Sequence, residues 1–294
     1  MKTFRGTFTV MVTPFTEAGA LDLAALRRFV DWQIEQGIHG LIPLGSTGEF
    51  LSLSDEEHVA VAETVIRQAA GRVPVLIGTG AEDTREAVRL SRRAEALGAD
   101  GVMIIPPFYS TPTEDELYHH YRTIAGAIGL PIMLYNNPAT ANVDLTPPVV
   151  ARLSTIDNCR YIKESTLEVT RVRDILRLCG DRMTVFGGIL GFESFVEGAE
   201  GWVAVASNAA PQALSRLFTL VADEERVSEA RSLYLRYLPL IEFVGGQRYV
   251  AGSKALLGHM GLPVGTPRPP RLPLPDAQDA VARDIVAKLA LRFG

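Results

Sequence analysis

Arg160-Tyr161-Ile162-Lys163-Glu164-Ser165 is a short apolar run that ends in a lone lysine, and a helical pattern over residues 168–178 follows it. An uninterrupted apolar run leading into a helix reads as a strand buried on both faces, the building unit of a parallel α/β sheet. Lys163 then stands at the carboxyl end of a strand, where such folds place their chemistry. Burial disfavours the charged ammonium and frees a lone pair for imine formation with a ketone. Taken alone, a lysine here more often points to solvent. The weight of the reading therefore rests on the chain around it.

The same alternation recurs along the sequence. Apolar runs occupy residues 7–15, 40–45, 74–78, 101–106, 131–135, 161–163, 184–188 and 202–206. Amphipathic helical patterns lie between them, as over 23–36, 55–70, 84–97 and 114–128. Ser54 and Asp83 stand where helix N-caps belong, and Gly37, Gly71, Gly98 and Gly129 where helices should stop. Eight strand-and-helix repeats predict a closed (β/α)8 TIM barrel in preference to a doubly wound sheet. Beyond the eighth run the patterns are helical, over 212–222, 224–244, 249–257 and 276–292, with a proline-rich loop at 266–275. The expected organisation is a catalytic barrel at 1–222 and a C-terminal helical extension at 223–294.

Composition excludes several functions. The chain has 294 residues, 47% hydrophobic and 21% charged, with a net charge of -5. That balance gives nucleic-acid binding no electrostatic support. Arg268 and Arg271, the only basic cluster, sit among prolines and read as a stiff loop. Two cysteines, Cys159 and Cys179, form no framework and fit a reducing compartment. The opening MKTFRGTFTVMVTPF has no signal-peptide core, and no apolar run approaches ~18 residues. A cytoplasmic protein with no membrane partner is expected. The five histidines lack metal-ligand spacing, and Gly78-Thr79-Gly80 lacks the third glycine of a dinucleotide loop. Neither a metal nor a cofactor is called for.

Barrel chemistry gathers at strand ends, so these residues form one candidate set. The ends carry Thr13-Pro14-Phe15, Gly45-Ser46-Thr47-Gly48-Glu49, Phe108-Tyr109, Tyr135-Asn136-Asn137-Pro138, Lys163, Gly187-Gly188 and Ser207-Asn208. Such a set suits a keto acid. The lysine takes the ketone, small hydroxyls and backbone N–H groups take the carboxylate, and a phenol relays protons.

Three motifs carry a family resemblance: Gly40-Leu41-Ile42-Pro43-Leu44-Gly45-Ser46-Thr47-Gly48-Glu49, Tyr135-Asn136-Asn137-Pro138 and Ile162-Lys163-Glu164. In order and spacing the chain resembles, over essentially its full length, the dihydrodipicolinate synthase/N-acetylneuraminate lyase family of pyruvate-dependent class I aldolases. The resemblance implies a lyase in which Lys163 forms the Schiff base and Tyr135 relays protons. Ser46 and Thr47 would hold the pyruvate carboxylate, with Thr47 also linked to Tyr135. Gly188 and Val203 would line the site through their backbone. Tyr109 would serve a neighbouring subunit's site, so a homodimer or homotetramer is expected. No cofactor beyond the covalent imine is implied.

Departures from the pattern bear on the substrate. The synthase carries an arginine two residues after the motif proline, where it holds the aldehyde substrate's carboxylate; here Thr140 stands there. A threonine cannot replace a bidentate guanidinium contact. The expectation is thus a lyase acting on pyruvate plus an aldehyde, or on a 2-keto-3-deoxy acid. The lysine-pathway enzyme, 4-hydroxy-tetrahydrodipicolinate synthase, is the alternative, and a non-catalytic keto-acid binder the reading from another class. Ile189-Leu190 replaces the polar pair that sialic-acid lyases use for the sugar tail. Tyr161 replaces a small residue. By strand alternation it faces the same way as Lys163, and its hydroxyl needs a partner.

Overall fold

The computed structural model describes residues 3–294. Its eight strands are β1 (Gly6–Val10), β2 (Gly40–Ile42), β3 (Leu76–Gly78), β4 (Gly101–Ile104), β5 (Ile132–Asn136), β6 (Cys159–Glu164), β7 (Thr184–Gly187) and β8 (Gly201–Ala204). They make one sheet in the order β2-β1-β8-β7-β6-β5-β4-β3, with parallel pairing wherever register is assigned. Helices separate the strands and a helical run follows the last one. This is the (β/α)8 barrel with its C-terminal helices. All but Arg160 and Thr184 of the strand residues are buried, which explains why the strands read as continuous apolar runs rather than alternating ones.

Most boundaries fall close to the sequence reading. Ser54 opens the helix Asp55–Ala69 with a reciprocal capping box to Glu57, and Asp83 caps Thr84–Ala96. Each such cap contributes about 1 kcal/mol. Gly37, Gly71 and Gly98 adopt the left-handed backbone expected of helix stops. Gly129 does not stop its helix. The helix Glu114–Ala125 ends at Gly126, and the Gly129 N–H instead donates to Glu95 Oε1 at 2.7 Å. The run at 7–15 is also shorter as a strand than it reads. After Val10 a side chain takes over, since Asn208 Oδ1 accepts the Val12 N–H at 3.0 Å, and Phe15 N bonds Val264 O at 3.0 Å.

The chain divides into two compact units: residues up to Gly6 with Pro74–Val203, and Thr7–Val73 with Ala204–Gly294. Aromatic packing marks the first. The Phe4 and Tyr161 ring centroids lie 4.7 Å apart, and Phe186 meets Tyr161 edge-on at 6.1 Å. The Tyr161 hydroxyl finds its partner here, accepting from Phe4 N at 3.2 Å. Gly101 and Gly201 leave room for these rings. A Cβ on Gly101 would meet Phe4 at 3.0 Å, and one on Gly201 would meet Phe186 at 2.1 Å. In the second unit, buried hydroxyls on β1 are satisfied: Thr9 Oγ1 lies 2.6 Å from Gln33 Oε1 and 2.8 Å from Ser207 Oγ.

Candidate active site

In the first unit, β5 and β6 run in register with Tyr135 opposite Lys163 and Asn136 opposite Glu164. Strand alternation puts Tyr161 and Lys163 on one face of β6 and Ile162 and Glu164 on the other. Lys163 is 5% exposed, and its Nζ lies 3.9 Å from the centroid of the Tyr135 ring. That ring face attracts a cation, or a polarised amine, without supplying a counter-charge. The Tyr135 hydroxyl accepts from Asn137 Nδ2 at 3.0 Å.

Glu164, one residue on, is engaged elsewhere. It accepts from Asn136 Nδ2 at 2.9 Å and from Thr166 N at 2.8 Å. Asn136 Nδ2 also donates to Asp144 at 3.1 Å, and Asp144 is held in a two-point pair by Arg171 at 2.6 and 2.8 Å. The Arg171 guanidinium keeps the Asp144 carboxyl below its usual range. The acids near the strand end are thus committed to Asn136, Thr166 N and Arg171, and among the described residues no carboxylate pairs with Lys163.

Gly188 ends its strand against the same segment. Its N–H donates to Glu164 O at 2.7 Å, and its carbonyl accepts from Trp202 Nε1 at 3.2 Å. A Cβ there would sit 1.9 Å from Ser165 Oγ, so no side chain fits. Val203 is buried on β8. Thr140 lies exposed on the short helix Pro138–Ala141, with its hydroxyl donated back to Asn137 O at 3.2 Å. Tyr109 is 87% exposed. Its loop is nonetheless fixed, because Glu82 accepts the consecutive N–H groups of Phe108, Tyr109 and Ser110 at 2.8, 2.9 and 2.9 Å. Burial pushes the Glu82 carboxyl up, but the Ser110 side chain and these backbone bonds together hold it below its usual range.

In the second unit, Ser46–Gly48 forms one tight turn with Thr47 buried and Ser46 half-buried. Left-handed residues that are not glycine flank it: Leu44 at φ 61 and Glu49 at φ 59. Such backbone is held only where its surroundings over-determine it, and it concentrates at ligand sites. A Cβ on Gly48 would be tight as well, lying 3.1 Å from Met11 O. Thr13 Oγ1 donates to Gly48 O at 2.7 Å and closes the turn from β1's side.

A model of the dihydrodipicolinate synthetase family matches residues 3–288. The chain belongs to that family. Among its curated relatives, the 4-hydroxy-tetrahydrodipicolinate synthase of Pelobacter propionicus is 39% identical over 94% of this chain and 96% of its own length. That of Nitrobacter hamburgensis is 38% identical over 98% and 97%. The chloride-inhibited dihydrodipicolinate synthase of Acinetobacter baumannii, solved in complex with pyruvate, superposes with a TM-score of 0.95 at 34% identity, over 98% of this chain and all of that one.

Membership in the dihydrodipicolinate synthetase family makes this chain a lyase of the aldolase type. Among the described residues there is no group of three or more His, Cys, Asp or Glu placed to hold a metal ion, and no helix is long and apolar enough to cross a membrane. The structure brings Lys163 and Tyr135 together. It places Ser46 and Thr47 on the strained turn after β2. Sequence reasoning assigned no role to Glu82, which fixes the Tyr109 loop, or to Lys254, a second buried lysine. Lys254 had a legible signal: it is the only charged residue besides His259 in Tyr249–Met260, a helix otherwise almost wholly apolar and buried.

Proposed function

We propose that the chain is a Schiff-base lyase for a 2-keto acid, with pyruvate as the keto component. The observation that carries this is Lys163 itself: buried, at a strand end, over the Tyr135 ring, with no carboxylate paired to it among the described residues. The amine adds to the ketone carbon and the carbinolamine loses water, leaving a protonated imine. That imine withdraws electrons as the C3 proton departs, and the resulting enamine attacks an aldehyde carbon. In the cleavage direction the same steps run backwards. Tyr135 carries protons to and from the carbinolamine and product oxygens. Ser46 and Thr47 hold the keto-acid carboxylate, and Gly188 and Val203 present backbone to the ligand, in the family's pattern. The relative from Acinetobacter baumannii, solved with pyruvate, supports the choice of keto acid. Tyr109 belongs to the site of a second copy in a homodimer or homotetramer.

Two readings of the other substrate divide at Thr140. The shared name of the curated relatives favours condensation of pyruvate with aspartate semialdehyde, the 4-hydroxy-tetrahydrodipicolinate synthase reaction. Thr140, exposed and bonded to its own backbone, lacks the charge to hold that aldehyde's carboxylate and favours an aldehyde or sugar acid without one at that end. Reduction with borohydride in the presence of pyruvate should add the pyruvyl mass at Lys163; no adduct on folded protein rejects the lyase mechanism. A coupled assay with aspartate semialdehyde then decides the partner. A background rate beside turnover of a 4-hydroxy-2-oxo acid rejects the synthase.

A further inference from the structure

The second buried lysine is tied to the turn that carries Ser46 and Thr47. Lys254 Nζ lies 2.8 Å from Glu49 Oε1, and both side chains are essentially sealed from solvent. The same ammonium donates to Thr266 O at 3.2 Å and sits 4.0 Å over the Phe15 ring. The second Glu49 oxygen accepts the backbone N–H of Arg268 at 2.8 Å. The Arg268 guanidinium covers the Phe15 ring at 4.2 Å and closes on Glu57 with two bonds of 2.6 Å. Glu49 is therefore held from the helix Tyr249–Met260 and from the proline-rich loop at once.

Glu49 is also the left-handed residue that ends the Ser46–Gly48 turn, with its N–H bonded to Ser46 O at 3.2 Å. A non-glycine residue in that backbone region is strained and needs something to hold it there. A surface acid would relax. Glu49 cannot, because its carboxylate is locked in a buried pair whose rupture strands a charge. Burial is severe enough to bring Lys254 down to about 8 even with Glu49 opposing that shift, while Arg268 and Arg271 add repulsion. For packing alone, two apolar side chains of similar size would serve as well or better.

We infer that Glu49 and Lys254 are positioning residues: they hold the Ser46–Thr47 turn in the geometry that receives the keto-acid carboxylate, so the C-terminal helices set affinity for the keto acid. The inference rests on the proposed Schiff-base reading. Its consequence is specific to the keto-acid half of the reaction. Loosening the pair weakens keto-acid binding and leaves the intrinsic reactivity of Lys163 in place.

The experiment measures borohydride trapping of Lys163 across a range of pyruvate concentrations, which needs no knowledge of the aldehyde. Wild type, Glu49→Gln, Lys254→Met and the double variant Glu49→Gln/Lys254→Met are compared, with thermal melting followed in parallel. The expected result is a half-saturating pyruvate concentration raised about 10-fold or more in every variant that folds, with full trapping at saturation. The double variant, which leaves no charge buried, should regain melting temperature without regaining affinity. A role in stability alone would move melting and leave half-saturation unchanged in that double variant, and this outcome overturns the inference. Loss of trapping at saturating pyruvate in the variants, with wild type intact, overturns it as well. No adduct in wild type rejects the Schiff-base reading on which it stands.

Discussion

Lys163 and Lys254 are both buried lysines, at 5% and 3% exposure, and each lies over an aromatic ring, at 3.9 and 4.0 Å. They differ in their ionic partner: Lys254 also faces the Glu49 carboxylate at 2.8 Å, and among the described residues no carboxylate pairs with Lys163. A carboxylate fixes an ammonium as a cation and turns the residue into a tie between segments. In the proposed mechanism Lys163, tied to no carboxylate among the described residues, is the amine that adds to the ketone. The comparison teaches that burial alone does not mark a reactive lysine. The partner decides.

Removing Lys163, the proposed imine-forming lysine, should have the largest effect. Lys163→Ala is expected to lower turnover by at least about 10³-fold and to abolish pyruvate trapping, with little change in melting temperature. Circular dichroism melting beside mass spectrometry checks both halves, and residual trapping elsewhere on the chain would break the contrast between the two lysines. Next comes Tyr135→Phe, which keeps the ring under Lys163 and deletes the hydroxyl. Turnover should fall by about 10²-fold or more while some imine still forms. Unchanged turnover would take the proton relay away from Tyr135. For the paired lysine a cost in stability accompanies the loss of pyruvate affinity inferred above. Lys254→Met should cost about 3–5 kcal/mol in chemical denaturation, because it leaves Glu49 buried without its counter-ion, and the double variant with Glu49→Gln should cost much less.

The smallest effect sharpens the comparison with a third buried base. His120 is sealed, with Nδ1 2.8 Å from Thr84 Oγ1, and burial lowers it to about 4 despite the field of Glu82. The folded protein therefore stays unprotonated there while the unfolded chain takes up a proton below about 6.5. Stability from this group is fully present above that value and is lost as pH falls toward about 4. The loss should reach about 3 kcal/mol, and the acid slope should flatten in His120→Gln. An unaltered slope would show that His120 is wetter than its packing indicates.

How much could be read beforehand follows from the range of the forces involved. The eight strands were legible because burial on both faces leaves a local mark, an apolar run, and caps such as Ser54-x-x-Glu57 are local too. Lys163 and Tyr135 were legible as strand ends. The last stretch of the first apolar run was not, because the backbone after Val10 is claimed by Asn208 and Val264, which lie about two hundred residues away or more. Gly129 misled because Gly126 had already ended the helix. The Glu49–Lys254 pair joins a turn to a helix two hundred positions on, and no local pattern announces that an acid and a base will meet. Glu82 escaped for a related reason: its partners are backbone N–H groups, which carry no sequence signature.

The aromatic cluster around Tyr161 bears on how this lineage can change. Phe4, Tyr161 and Phe186 occupy space that exists only because positions 101 and 201 carry no side chain, and the Phe4 amide depends on the Tyr161 hydroxyl. Trimming Tyr161 to a small residue orphans a donor and opens a void. Enlarging either glycine drives a Cβ into a ring. Single substitutions at these five positions therefore disturb the packing of the others. Remodelling this cluster calls for coordinated changes at several of these positions, a constraint that no single position reveals.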